Sequence, residues 1–140
     1  MRSGHTLAEL AAVLTICAIL FAGAVPALGT HRDRAAVHAA TTEISSALDD
    51  ARRGSLLRSM SVALVLDTRR AQTLLIAAGD TILLAAVGGE LGVTLEATRD
   101  TVRFAPTGRA YGASNTTILL RRGSAADTIT ISRLGRIRVS

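Results

Sequence analysis

The stretch GHTLAELAAVLTICAILFAGAVPALGT (residues 4–30) decides how the rest of the chain is read. From Leu10 to Thr30 it runs for 21 residues without a formal charge. As a helix rising about 1.5 Å per residue it spans about 31 Å, close to the roughly 30 Å hydrocarbon core of a bilayer. Arg2 precedes the run, and Arg32, Asp33 and Arg34 follow it. Weak positive charge on the N-terminal side points that end toward the cytoplasm. Two plain readings exist: a secretory signal cut near Ala22-Gly23-Ala24, or a simple membrane anchor. Glu9 counts against both. A carboxylate in an apolar helix costs about 2.5–3.5 kcal/mol at mid-membrane and less near the edge, so it calls for a partner.

Working outward, the next segment changes character. Ala36, Val37, Ala40, Ile44, Ala47, Leu48 and Ala51 recur at three- and four-residue spacing, with Asp33, Glu43, Asp49, Asp50, Arg52 and Arg53 between them. That is an amphipathic helix running to about Ser59. No proline follows Pro26 in it, so one long helix is expected, the alternative being a break near Pro26–Gly29. From Ser61 onward the period becomes that of strands. Ser61–Asp67, Thr73–Ala78, Thr81–Val87, Val93–Ala97, Thr101–Ala105, Thr116–Arg121, Thr128–Ser132 and Arg136–Val139 are short runs rich in Val, Ile, Leu and Thr. Turn signals separate them: Thr68-Arg69-Arg70, Gly79-Asp80, Gly88-Gly89, Pro106-Thr107-Gly108, Arg122-Gly123-Ser124 and Gly135. Residues 109–115 read as a longer loop.

The expected fold class is therefore α+β. A long N-terminal helix, half transmembrane and half amphipathic, packs on a small antiparallel β domain. Only 2% of the 140 residues are aromatic, so Ala, Val, Ile and Leu must build the core. Such a domain buries modest area and gains from packing on a helix.

All 16 basic residues are arginine. From Glu43 to Phe104 seven arginines face eight acids, whereas from Ala105 to Ser140 six arginines face Asp127 alone. The basic excess at the C-terminal end is a candidate polyanion footprint or an ordinary solubilising edge. In Gly135-Arg136-Ile137-Arg138-Val139, strand alternation puts Arg136 and Arg138 on one face, about 6.6–6.8 Å apart. Each guanidinium can bind a phosphate through two hydrogen bonds. Arg133, Arg121 and Arg122 extend the candidate patch. No aromatic residue lies within this stretch to stack on bases, so binding would be phosphate-driven and salt-sensitive.

Enzyme chemistry is not expected, and no catalytic residue, metal ligand set or cofactor is assigned. The last histidine is His38 and the only cysteine, Cys17, sits in the apolar run. No Ser-His or Cys-His pair can form in the β domain, and its carboxylates show no motif. His5, His31 and His38 are too scattered to make a metal site.

The run Gly4-His5-Thr6-Leu7-Ala8-Glu9-Leu10 resembles the type IV prepilin signal, a glycine followed by Phe-Thr-Leu-x-Glu-Leu, with His5 where phenylalanine is usual. The resemblance implies a leader of residues 1–4, cleavage by prepilin peptidase between Gly4 and His5, and N-methylation of His5. It also implies an assembly role for Glu9, pairing with a neighbouring subunit's terminal amine, and for Pro26, loosening the helix. Residues 48–64, Val102–Gly108 and Ile129–Arg138 are similar to the GspH/FimT family of pseudopilins and minor pilins. The implied organisation is leader 1–4, transmembrane helix 5–30, helical stem 31–59 and extracytoplasmic β domain 60–140. The implied partners are other pilin or pseudopilin subunits, prepilin peptidase and inner-membrane lipid. The chain would be single-pass, with its C-terminal domain in the periplasm and built into a pilus or secretion pseudopilus. FimT-type members are associated with DNA uptake through a Gly-Arg-x-Arg motif, which Gly135–Arg138 matches; DNA is thus the alternative partner.

Overall fold

The computed structural model describes residues 6–77, 80–111 and 115–140, without the side chains of residues 23–27 and 83. Gly4, His5 and Gly79 lie outside the described residues, as does the Pro26 side chain. A helix α1 (Leu7–Leu57) opens the chain, and two compact units divide it at residues 1–32 and 33–140.

In the first unit α1 begins on a capping box. The Thr6 amide donates to Glu9 Oε2 at 3.2 Å, and the Glu9 amide donates to Thr6 Oγ1 at 3.4 Å. Two amides that the first helical turn leaves without helical acceptors are thereby satisfied. Beyond the box, Leu10, Val13, Leu14, Ile16, Ile19, Leu20 and Phe21 are all exposed. Consecutive exposed positions such as Ile19, Leu20 and Phe21 mean that the apolar surface goes around the helix rather than forming a stripe. Among the described residues no helix is long and apolar enough to cross a membrane. The side chains of 23–27, inside the uncharged run, are not among them.

Among its described residues the second unit holds the rest of α1 and nine strands. They are β1 (Val62–Asp67), β2 (Gln72–Ala77), β3 (Asp80–Ala85), β4 (Thr94–Ala97), β5 (Thr101–Phe104), β6 (Ala110–Tyr111), β7 (Thr116–Arg122), β8 (Ala125–Ile131) and β9 (Ile137–Val139). A one-turn helix α2 (Val87–Leu91) lies between β3 and β4. Every pairing is antiparallel, in two sheets ordered β3-β2-β1-β5-β6 and β4-β7-β8-β9.

All seven stem residues assigned to the apolar stripe are buried: Ala36, Val37, Ala40, Ile44, Ala47, Leu48 and Ala51. Six of them, all but Ala47, join one cluster with Val62, Leu64, Leu66, Val102 and Phe104 from the first sheet, and with Leu95, Ile118, Leu120, Ile129 and Ile131 from the second. Phe104 is fully buried. The small side chains at 36, 40 and 51 let the helix backbone approach the sheets, which compensates for the scarcity of aromatic volume.

Three polar links add register to this packing. Arg122 Nε pairs with Asp33 Oδ1 at 3.0 Å. The buried Thr41 hydroxyl shares its proton between Val37 O (2.8 Å) and Asp127 Oδ2 (3.1 Å). Arg52 Nε donates to Gly108 O at 3.1 Å. The links tie α1 to the β7–β8 hairpin, to β8 and to the turn after β5.

The structure corrects several expectations. Gly88-Gly89 lies inside α2 rather than in a turn: Val87 is fully buried and the Gly88 amide donates to Ala71 O at 3.1 Å, which pins the segment down. Residues 109–115, expected as loop, contain β6, because Arg103 and Phe104 pair with Tyr111 and Ala110. Strand β8 begins at Ala125 rather than Thr128, extending the hairpin with β7 to the Arg122–Ala125 pair.

Candidate functional site

The five candidate arginines do not form one patch. Arg122 ends β7 on the side of Ile118 and Leu120, which are buried. Its guanidinium pairs with Asp33 and also donates to the Leu91 carbonyl. It is a structural clamp. Arg121 is exposed on the opposite face of β7. Register places Arg138 beside Thr130 and Thr130 beside Thr117. Arg121, four residues beyond Thr117, is therefore roughly 13 Å further along the strands and two strands across, at about 4.8 Å per strand.

Arg133, Arg136 and Arg138, close in sequence, are all exposed. Neither Arg136 nor Arg138 has an acidic partner among the described residues. Gly135 sets up this segment. Its φ is +73°, a left-handed conformation that residues with a Cβ rarely adopt, and an added Cβ would lie 2.4 Å from Gly108 O. The Gly135 amide closes a turn onto Ser132 O at 2.9 Å. The chain thus reverses tightly against the turn that Arg52 holds, and runs back along β8.

The hydrogen bonds define which way each β9 backbone group faces. Thr128 and Ser140 exchange both bonds, each at 2.9 Å or less, and the Ser132 amide donates to Arg136 O at 2.9 Å. In an antiparallel ladder such pairs alternate with pairs that exchange none. Arg136, Arg138 and Ser140 therefore spend their backbone groups on β8. Those of Ile137 and Val139 point the other way, to the open edge of the sheet.

Of the N-terminal candidates, only Glu9 is described in full. Within the chain, the Glu9 carboxylate accepts from the Thr6 amide. The Thr6-Leu7-Ala8-Glu9 spacing is itself a capping-box signal that the sequence reading passed over.

Two solved structures share this architecture, both of the Pseudomonas aeruginosa (strain PAO1) type IV minor pilin FimU. One is matched at 15% identity with a TM-score of 0.59, over 74% of this chain and 87% of that one. The other crystal form is matched at 13% identity with a TM-score of 0.58, over 74% and 91%. The fold is type IV pilin-like. No family model matches the chain, and no curated protein does. In pilin-like terms, α1 is the long N-terminal helix, its second half covered by the two sheets, and β9 is a free edge of the second sheet.

Proposed function

We propose that the chain is a minor pilin or pseudopilin of the GspH/FimT kind, a non-enzymatic structural subunit of a type IV pilus or type II secretion pseudopilus. In this reading prepilin peptidase cuts between Gly4 and His5 and the new terminus at His5 is methylated. Residues 5–30 anchor the chain in the inner membrane, with residues 60–140 in the periplasm. One observation carries it: a pilin-like fold whose long helix carries Glu9 in its first turn and then exposes Leu10, Val13, Leu14, Ile16, Ile19, Leu20 and Phe21. In lipid that surface needs no protein cover. In a filament it packs on neighbouring helices, and the Glu9 carboxylate meets another subunit's terminal ammonium, so that both charges are neutralised out of water. Pro26 lacks an amide hydrogen and lets the helix yield as subunits pack.

Mass spectrometry of the protein from its membrane checks processing. A mature chain starting at methylated His5 is expected; an intact Met1, or a cut near Ala24, defeats the reading. Replacing Glu9 with leucine should abolish filament incorporation while leaving membrane insertion intact. DNA capture by the same chain is the rival use of this fold. It retains Arg133, Arg136 and Arg138 of its five candidates, and it makes a different demand on β9 from that of subunit contact, which the next experiment separates.

A further inference from the structure

We propose that β9 is a docking edge for an extended segment of a different protein, one that carries carboxylates at alternate positions. Strand β9 is the last in its sheet, with no strand beyond it among the described residues. The ladder just described leaves the amides and carbonyls of Ile137 and Val139 on that open edge, and Val139 is half exposed. An incoming strand would exchange hydrogen bonds with Ile137 and Val139. Its residues opposite Arg136 and Arg138 would fall at the non-bonded positions, where facing side chains come closest. Two unpaired guanidiniums at those positions select acidic side chains at i and i+2.

The same charges say what the partner is not. Pairing with β9 of a second copy sets arginine against arginine, which is destabilising. No described strand of this chain carries two acids at alternate positions: β3 brings only Asp80 and β4 only Glu96. The complementary strand therefore belongs to another polypeptide. Under the subunit reading it is a neighbouring subunit; the proposal itself rests on the β9 edge and survives if that reading fails.

The test uses the full-length chain in detergent micelles and the capped peptide Thr-Glu-Val-Glu-Val-Glu-Thr carrying a fluorophore, with labelled duplex DNA in parallel. The peptide is expected to bind, and Arg136→Gln and Arg138→Gln are each expected to weaken it by about fivefold. The decisive variant is Val139→Pro. It removes an outward amide that β8 does not use, a change an edge strand tolerates, and it should abolish peptide binding while Val139→Ala keeps it. Should Val139→Pro unfold the domain, hydrogen exchange on the wild type replaces it: Ile137 and Val139 amides must gain protection when peptide is added. Absence of peptide binding, or absence of that protection, overturns the proposal, as does full binding by a folded Val139→Pro chain. DNA binding that both arginine changes remove and Val139→Pro leaves intact identifies the ligand as nucleic acid and overturns it too.

Discussion

Gly123 and Thr73 show how single side chains set limits here. Gly123 turns the β7–β8 hairpin at φ +54°, and a Cβ on it would lie 2.2 Å from Asp33 Oδ2. Gly123→Ala must therefore adopt an unfavourable backbone, costing about 1–2 kcal/mol, and push the Asp33 carboxylate off Arg122, a half-exposed pair contributing up to about 1 kcal/mol. Urea unfolding should show a loss of about 1–3 kcal/mol. Asp33→Ser in the same chain should recover nothing of the backbone part. Thr73 is the opposite case. It is fully buried at the register shift between β2 and β3, and its Oγ1 has no hydrogen-bond partner among the described residues. Thr73→Val keeps the shape and removes the stranded hydroxyl, so stability should rise by about 1 kcal/mol. A loss on urea unfolding would mean the hydroxyl is satisfied. Neither site is visible in the sequence: Arg122-Gly123-Ser124 announces a turn, but nothing in it names Asp33 as the neighbour.

At the scale of elements, the stem helix was the most readable part. Its apolar spacing is a local property, and each residue on the stripe is buried because a helix repeats every 3.6 residues whatever lies opposite. Strand positions were readable for the same reason, from β-branched runs between turn residues. Pairing was not. The second sheet depends on Thr94 finding Arg121 and Ala97 finding Ile118, contacts between segments well separated in the chain. Two adjacent glycines likewise read as a turn, although Val87 buries enough to fold them into α2. The alanines of the stem make a prediction that separates close packing from helix propensity. Ala40 is fully buried and Ala39 is exposed. Ala40→Leu has to force the helix off the sheets and should lower stability by about 1–3 kcal/mol. Ala39→Leu, equally compatible with a helix, should change it by less than about 0.5 kcal/mol. Thermal or urea unfolding of the two variants side by side decides this.

For the whole molecule, the boundary near residue 32 separates two kinds of stability. Among the described residues, the clustered core side chains begin at Ala36. The candidate site divides the same way: Glu9 belongs to the helix start, whereas Arg136 and Arg138 belong to a sheet edge whose open groups no reading of spacing alone could assign. A fragment from Arg32 to Ser140 keeps Asp33 for Arg122, Thr41 for Asp127 and the full buried stripe. It should unfold cooperatively, with a midpoint close to that of the full chain. A fragment from Met60 to Ser140 loses Val37, Ala40, Ile44, Leu48 and Ala51 together, and so one wall of the core. With so little aromatic volume in the sheets, and removal of one buried leucine or isoleucine costing about 2–5 kcal/mol, the loss of Ile44 and Leu48 alone is comparable to the 5–15 kcal/mol by which domains are usually stable, and the fragment is expected not to fold cooperatively. Circular dichroism and urea titration of the two fragments test this directly. If Met60–Ser140 folds cooperatively on its own, the helix is a passive stalk. If it does not, the stem is the centre of the domain, and any force drawn along α1 acts on the core that holds the β9 edge in place.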